Sequence, residues 1–186
     1  MRVILGISGA SGVVLGYRLL QELKRANVEV HLIITEAAKL NFSIETDINI
    51  NDVINQANYY YDNKDLAAKI SSGSFVTDGI IIAPCSMKSL SAIACGFSEN
   101  LLVRSVDVCF KERRKVVICP REMPLNRIHL KNMLTVDEMG GVIIPPMLTF
   151  YNNSLTLDEQ INHVVGKILL QFGINSKNFK PWNGSE

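Results

Sequence analysis

The sequence predicts an α/β protein, a single-domain, open, doubly wound parallel sheet, and two observations carry that expectation. Short β-branched runs recur that are apolar on both faces, as strands are when helices cover the sheet on each side. Helical stretches alternate with them along most of the chain. Strand then helix, repeated, implies right-handed crossovers and a parallel sheet.

In chain order, "RVILGI" (2–7) is the first strand and "SGVVLGYRLLQELKRAN" (11–27) the helix behind it. The second strand is "VEVHLII" (28–34). The stretch 47–65, rich in Asn and Tyr, reads as a surface excursion with a short strand at most, its tyrosines packing on the sheet edge or stacking on a ligand. "GIIIAP" (79–84) is a buried strand, followed by helical periodicity over 86–96 and 99–114. "KVVICP" (115–120) and "GVIIP" (141–145) are strands flanking a helix over 126–140. The last helix spans 156–173: Thr156 and Glu159 form a capping box and Gly173 is placed to end it. There is no internal repeat.

The bulk numbers narrow the function. A chain of 186 residues, 47% hydrophobic and 20% charged, fits one domain over 1–186, with a core to 173 and a polar tail over 174–186. Nineteen basic against eighteen acidic residues give a net charge of +1, so nothing asks for nucleic acid or an anionic membrane as partner. No apolar run approaches the roughly 18 residues of a membrane helix, and no signal-peptide pattern opens the chain, so a cytoplasmic protein is expected. Cys85, Cys95, Cys109 and Cys119 form no C-x-x-C pair, and His31, His129 and His163 share no short spacing, so no metal site is expected.

In such a sheet the loops beyond the carboxyl ends of the strands hold ligands. The first, "GISGASG" (6–12), is spaced G-x-x-G-x-x-G; it is not the dinucleotide fingerprint and lacks the Lys-Ser/Thr ending of a P-loop. Gly9 and Gly12 permit a tight turn and close approach, and Ser11 is placed to cap the next helix or to donate to an anion there. A phosphate and a plain capped turn both satisfy this loop taken alone. Glu36 stands where a dinucleotide enzyme holds a ribose, while Thr35 before it reads equally as a helix start. "SSGS" (71–74) and "PCS" (84–86) add Ser72 and Ser86, making three hydroxyl-rich turns that suit a phosphorylated heterocycle. Cys85 reads as a buried small residue, with no histidine near it in sequence.

"CPREMP" (119–124) holds Arg121 and Glu122 side by side between Pro120 and Pro124, an anion-binding fork next to an acid/base group. The bland alternative is a surface ion pair, which contributes little. Arg104, Asp107 and Lys111 share one helix face, either as a solvated ladder or as two cations aimed at a phosphate with Asp107 orienting them. "KERRK" (111–115) otherwise reads as a basic helix end complementing the helix dipole.

These residues, with "ETD" (45–47), "SSGSF" (71–75), "PCSMKSLS" (84–91), "RSVDVCFKERR" (104–114), "PREMPL" (120–125), "IHLKNML" (128–134) and "PPMLTFY" (145–151), follow the order of a known family. The chain resembles the UbiX-type flavin prenyltransferases, which include members long described as one of the subunits of hydroxyarylic (phenolic) acid decarboxylases. Each segment is weak alone; together they span nearly the whole chain.

The resemblance implies a flavodoxin-like, Rossmann-like fold assembled as a homododecamer, with FMN at the first loop near subunit contacts. It implies transfer of the dimethylallyl group of dimethylallyl monophosphate to N5 of reduced FMN, a second bond to C6, and no metal. Prenylated FMN then serves a partner UbiD-type decarboxylase of aromatic acids. Carried over by residue, Gly9, Ala10, Ser11 and Thr35 fall at flavin-binding positions, as do Ser72, Ser86 and Arg104. Lys111, Arg121, Tyr151 and Lys167 fall where the family grips the substrate phosphate. Glu45 and Glu122 match its two functional carboxylates and, with Lys111, are the catalytic candidates; Glu122 is the expected proton acceptor at ring closure. Lys167 replaces the family's usual arginine, which turns a bidentate grip into a point charge. Thr35 replaces its serine and keeps the hydroxyl.

Three other readings compete. Flavoproteins that decarboxylate peptidyl or pantothenoyl cysteine rely on a histidine and a "PASAN" loop, where this chain has "PCSMK". A chain that itself decarboxylates phenolic acids offers no electron sink other than flavin. An FMN-binding electron carrier would leave Lys111, Arg121 and Glu122 without a task.

Overall fold

The computed structural model describes residues 1–182 and 184. Its strands are β1 (Arg2–Ile7), β2 (Glu29–Ile34), β3 (Tyr59–Tyr61), β4 (Gly79–Cys85), β5 (Lys115–Pro120) and β6 (Val142–Ile143). They make a six-stranded sheet in the order β3-β2-β1-β4-β5-β6, with every pairing parallel. The chain starts in the middle and winds outward in both directions, which places the switch point, where sheets of this kind hold ligands, at the ends of β1 and β4.

Alternation along the strands sorts the core into two layers. Val3, Leu5, Ile7, Leu32, Ile34 and Ile81 face α1 (Val13–Arg25), α2 (Glu36–Glu45), α3 (Ile50–Ile54) and α7 (Leu157–Leu170). Ile4, Ile33, Ile80, Ile82, Val116 and Ile118 face α4 (Met87–Ala94), α5 (Leu101–Lys111) and α6 (Arg127–Glu138). The sheet is thus doubly wound, as the apolar runs require. No helix among the described residues is long and apolar enough to cross a membrane.

The differences from expectation lie at element ends. The strand read over 141–145 is only Val142–Ile143: Ile144 donates to the Ile118 carbonyl at 2.8 Å, and Pro145 and Pro146 have no N–H with which to continue. The excursion over 47–65 contains α3 as well as the expected short strand β3, because Asn49 caps a turn of helix by accepting from Asn51 N–H at 2.9 Å. The tyrosines of β3 do pack at the edge, stacking on the buried His31 ring at 4.8 Å (Tyr59) and 5.7 Å (Tyr61). His31 is hydrogen-bonded to Glu29 at 2.8 Å and to Tyr61 at 2.9 Å. The capping box of Thr156 and Glu159 is present. Helix α7 stops at Leu170, and Gly173, at φ +69°, turns the chain away. The tail then docks on the body: Phe179 packs on Gly166 and His163, and Ser176 Oγ donates to Glu22 at 2.8 Å. Asn183, Ser185 and Glu186 of that tail lie outside the described residues.

Gly16 lies where α1 crosses the sheet. A Cβ there would stand 2.5 Å from the Ala83 carbonyl oxygen and 2.7 Å from the Ile7 side chain. Gly16→Ala gains about 1 kcal/mol of helix propensity, but the backbone oxygen cannot retreat, and overpacking of this kind costs about 1–3 kcal/mol or more. The variant is expected to melt several degrees below the parent; a higher midpoint would show that α1 can ride outward freely.

Candidate functional site

The site is built where β1 and β4 end. Ser8, fully buried, donates its hydroxyl to the Pro84 carbonyl at 3.0 Å and accepts from Ser86 N–H at 2.8 Å. This ties the first loop to the start of α4. Ser86 caps that helix, accepting from Ser89 N–H at 3.2 Å and donating to Ser89 Oγ at 3.1 Å. Neither Ser8 nor Ser89 was a candidate from the sequence. The usable signal was a hydroxyl at the third position after a capping serine.

The expected cap by Ser11 is corrected. The chain turns one residue later, at Gly12 with φ +99°, and Ser11 is exposed and gives α1 no side-chain cap. Glu45, the last residue of α2, supplies it instead: its Oε2 accepts from Gly12 N–H at 2.7 Å and from Val13 N–H at 3.3 Å. A carboxylate therefore occupies the amides that an anion at this helix N-terminus would seek. Gly9 allows the loop to lie against α2, since a Cβ there would overlap that of Ala37. Thr35 accepts from Ala38 N–H at 3.2 Å and starts α2, while Glu36 pairs with Lys39 at 2.7 Å. Thr35 and Glu36 thus form a helix start.

The Arg121 backbone N–H donates to the Cys85 carbonyl at 3.0 Å, anchoring the loop after β5 to the end of β4. Arg121 is exposed and makes no ion pair among the described residues. Its side chain shares a cleft of about 240 Å³ with Ser11, Gly12 and Leu15, and with Met147 and Leu148 from the segment after β6. Glu122 accepts from Met123 N–H at 2.9 Å and lines an adjoining hollow of about 610 Å³ with Met133 and Pro146. Apolar walls with a few polar groups at one end are the usual make-up of a small-molecule site. Cys85 and Cys119 are inert here, since burial pushes both thiols up, that of Cys119 to about 12.

The remaining candidates are not in this cleft. Lys111 ends α5 four residues before β5 begins, whereas Arg121 follows the end of β5, so a six-residue strand lies between them, about 20 Å of extended chain. Lys111 pairs with Glu112. Ser72, hydrogen-bonded to Ser74 at 2.8 Å, lies near it, because a Cβ on Gly73 would stand 2.6 Å from the Lys111 ammonium. The "SSGS" turn therefore precedes β4 and belongs to the amino edge, contrary to the grouping of three turns at one edge. Arg104 is held by Asp107 at 2.6 Å and donates to the Ser71 carbonyl at 3.2 Å, so Asp107 orients Arg104 but not Lys111. The "KERRK" run is more than a helix end: the Arg114 guanidinium donates to the carbonyls of Gly73 (2.5 Å) and Phe75 (2.9 Å) and fixes the turn. Tyr151 and Lys167 form a third group. The Tyr151 hydroxyl lies 3.3 Å from His163 Nε2 on α7, and Lys167 follows His163 by one turn. Among the described residues no cluster of three or more His, Cys, Asp or Glu side chains is placed to hold a metal ion.

Residues 1–172 match the family model described as Flavoprotein. A probable UbiX-like flavin prenyltransferase of Sedimentibacter hydroxybenzoicus is 58% identical over 187 residues, covering 100% of this chain and 99% of that protein. The chain belongs to the UbiX-like flavin prenyltransferases. It is accordingly a flavoprotein and a transferase. A dodecameric FMN-dependent UbiX-like decarboxylase from Escherichia coli O157:H7 superposes with a TM-score of 0.97 at 46% identity, covering 99% of this chain and 100% of that one. The structure of AnUbiX (PadA1) in complex with FMN and dimethylallyl pyrophosphate also superposes with a TM-score of 0.97, at 43% identity over 100% of this chain and 98% of that one. The flavodoxin-like parallel sheet expected from the resemblance is the fold of these UbiX-like structures.

Glu45 can be tested apart from any chemistry. Glu45→Gln keeps an oxygen for the Gly12 and Val13 amides and should hold the thermal midpoint near that of the parent. Glu45→Ala should lower it by roughly 2–4 °C, the effect of a lost helix cap in a domain of this size.

Proposed function

We propose that the chain prenylates FMN with dimethylallyl monophosphate, in an active site completed by neighbouring copies of itself. The observation that carries this reading is the pairing of Arg121 and Glu122 on one anchored loop at the mouth of an apolar cleft, beside the first loop and the cap of α4. The donor set fits FMN. Hydroxyls and amides at the ends of β1, β2 and β4 suit its phosphate and polar ring edge, and Leu15, Met147 and Leu148 suit a flat ring and a branched alkyl chain.

Gly9, Ala10, Ser11, Thr35 and Ser86 would hold the flavin from one copy, with Ser72 and Arg104 supplied by another. When bound, reduced FMN supplies the nucleophilic N5 and C6 that take up the dimethylallyl group. Arg121 grips the leaving phosphate together with Lys111, Tyr151 and Lys167, placing cations and a hydroxyl where negative charge grows. Glu122 would take the proton that C6 gives up at ring closure, while the released phosphate would give one to the alkene carbon beside the new bond, so that the step is proton-neutral; the Glu122 carboxylate also accepts from Met123 N–H. Glu45 serves through its contact with the first loop.

The separation of the three groups of candidates within one chain supports an assembly in which the amino edge and the α7 face of some copies meet the carboxyl edge of others. We take that assembly to be a dodecamer, as in the Escherichia coli O157:H7 structure. The chain, one domain over 1–186, works in the cytoplasm, and its prenylated FMN passes to a UbiD-type decarboxylase.

Anaerobic incubation with reduced FMN and dimethylallyl monophosphate, followed by mass spectrometry of the extracted flavin, is the test. A flavin heavier by one dimethylallyl unit is expected from the parent; Glu122→Gln should give either no heavier flavin or one of the same mass whose absorbance spectrum differs because the fourth ring is still open. Unmodified FMN from the reduced parent overturns the reading in favour of an electron carrier. The shared site predicts complementation: Lys111→Ala and Arg121→Ala, each inactive alone, should regain activity in mixed oligomers refolded together. No recovery would place Lys111 outside the site.

A further inference from the structure

His163 faces Tyr151 from inside the body. The imidazole is 6% exposed, lies edge-to-face with the Tyr151 ring at 5.6 Å, and packs on Phe179 at 5.1 Å. Its Nε2 is 3.3 Å from the Tyr151 hydroxyl, while Nδ1 is buried and has no partner among the described residues. Burial, and after it the neighbouring Lys167 charge, hold its pKa below the usual histidine range, so the ring is neutral near pH 7 and carries one proton. With that proton on Nδ1, a buried N–H would be orphaned, an arrangement that folded proteins almost always avoid; an unpaired acceptor lone pair is tolerated better. The proton therefore sits on Nε2 and is donated to the Tyr151 oxygen. With its oxygen accepting from within, the tyrosine has its own O–H left to give outward. The Trp182 ring also meets the Tyr151 ring edge-to-face, at 5.5 Å.

We propose that His163 is a positioning residue, donating through Nε2–H to Tyr151 so that the tyrosine O–H is presented, next to the Lys167 ammonium, to the phosphate of the dimethylallyl substrate. This rests on the assignment of Tyr151 to that phosphate. Lys167 lies four residues after His163, one turn along α7, and its charge acts on the imidazole, which sets the ammonium on the side of the helix where the Tyr151 hydroxyl meets that ring. The sequence alone does not show this: position 163 reads as a surface or hydrogen-bonded histidine on a helix, whereas in the fold Tyr151 and the tail's Phe179 both pack on its ring.

The test is the KM for dimethylallyl monophosphate at saturating reduced FMN, with kcat and melting temperature measured beside it. Tyr151→Phe should raise KM by about tenfold and also lower kcat, because its hydroxyl meets the charge growing on the leaving phosphate; His163→Phe should raise KM to a similar extent with a smaller loss of kcat, and the double variant should be no worse than Tyr151→Phe. Gln places an N–H where Nε2 stood, and His163→Gln should restore KM to near the parent value. His163→Asn, whose amide reaches only the Nδ1 position, should behave like His163→Phe and decides the matter against His163→Gln should the phenylalanine variant not fold. A parent-like KM in His163→Phe or His163→Asn, beside a raised KM in Tyr151→Phe, overturns the role of His163 and leaves Tyr151 in place. So does a further loss on adding His163→Phe to Tyr151→Phe. An unchanged KM in Tyr151→Phe removes the phosphate assignment itself, and the proposal with it.

Discussion

The buried hydroxyl of Ser8 is the joint on which the site depends. It donates across the switch point to Pro84 and accepts from Ser86, so the first loop and the cap of α4 cannot move apart without leaving polar groups unpaired in the interior. The Arg121 backbone is fastened to the same place through the Cys85 carbonyl. Three loops that are distant in sequence are thus referred to the ends of two central strands, and the exposed groups they carry, Ser11, Arg121 and Glu122, inherit the rigidity of the sheet. Loops on a fixed scaffold are where binding groups can be both accessible and well placed.

Much of this was legible in the residues, for physical reasons that can be named. The strands were, because a sheet covered on both faces leaves continuous apolar runs. So were the cap and end of α7, because Thr156 and Glu159 satisfy each other locally. The carboxyl edge was legible through Gly9, Gly12, Ser86 and the prolines around Arg121. What could not be read were interactions closed over a distance. Glu45 meets Gly12 across 33 positions, Ser8 meets Ser86 across 78, and Arg114 reaches back 41 residues to Gly73. No local pattern marks such pairs, and so Ser11 was given a capping task that Glu45 performs.

The same limit explains the grouping of the phosphate-binding candidates. Lys111 and Arg121 are ten positions apart, near neighbours in the sequence, yet β5 separates them. Resemblance to the UbiX-like enzymes assigns residues to one site without saying which copy supplies each. In a parallel sheet a helix residue just before a strand and a loop residue just after it lie at opposite ends, so a single site holding both, as the proposed function has it, would draw on more than one chain. Each separated group still carries its own supports: Asp107 for Arg104, Arg114 for the Ser72 turn, and His163 for Tyr151.

The Glu45 carboxylate makes the mouth of α1 choosy. Bare amides at a helix N-terminus favour an anion of any kind. Here a ligand aimed only at Gly12 and Val13 must evict a resident anion that is already hydrogen-bonded, and it gains little by the exchange. Phosphate alone has less to gain at this loop than at an uncapped one, and a ligand that settles here must draw on contacts beyond Gly12 and Val13. The first loop acts less as an attractor than as a doorkeeper.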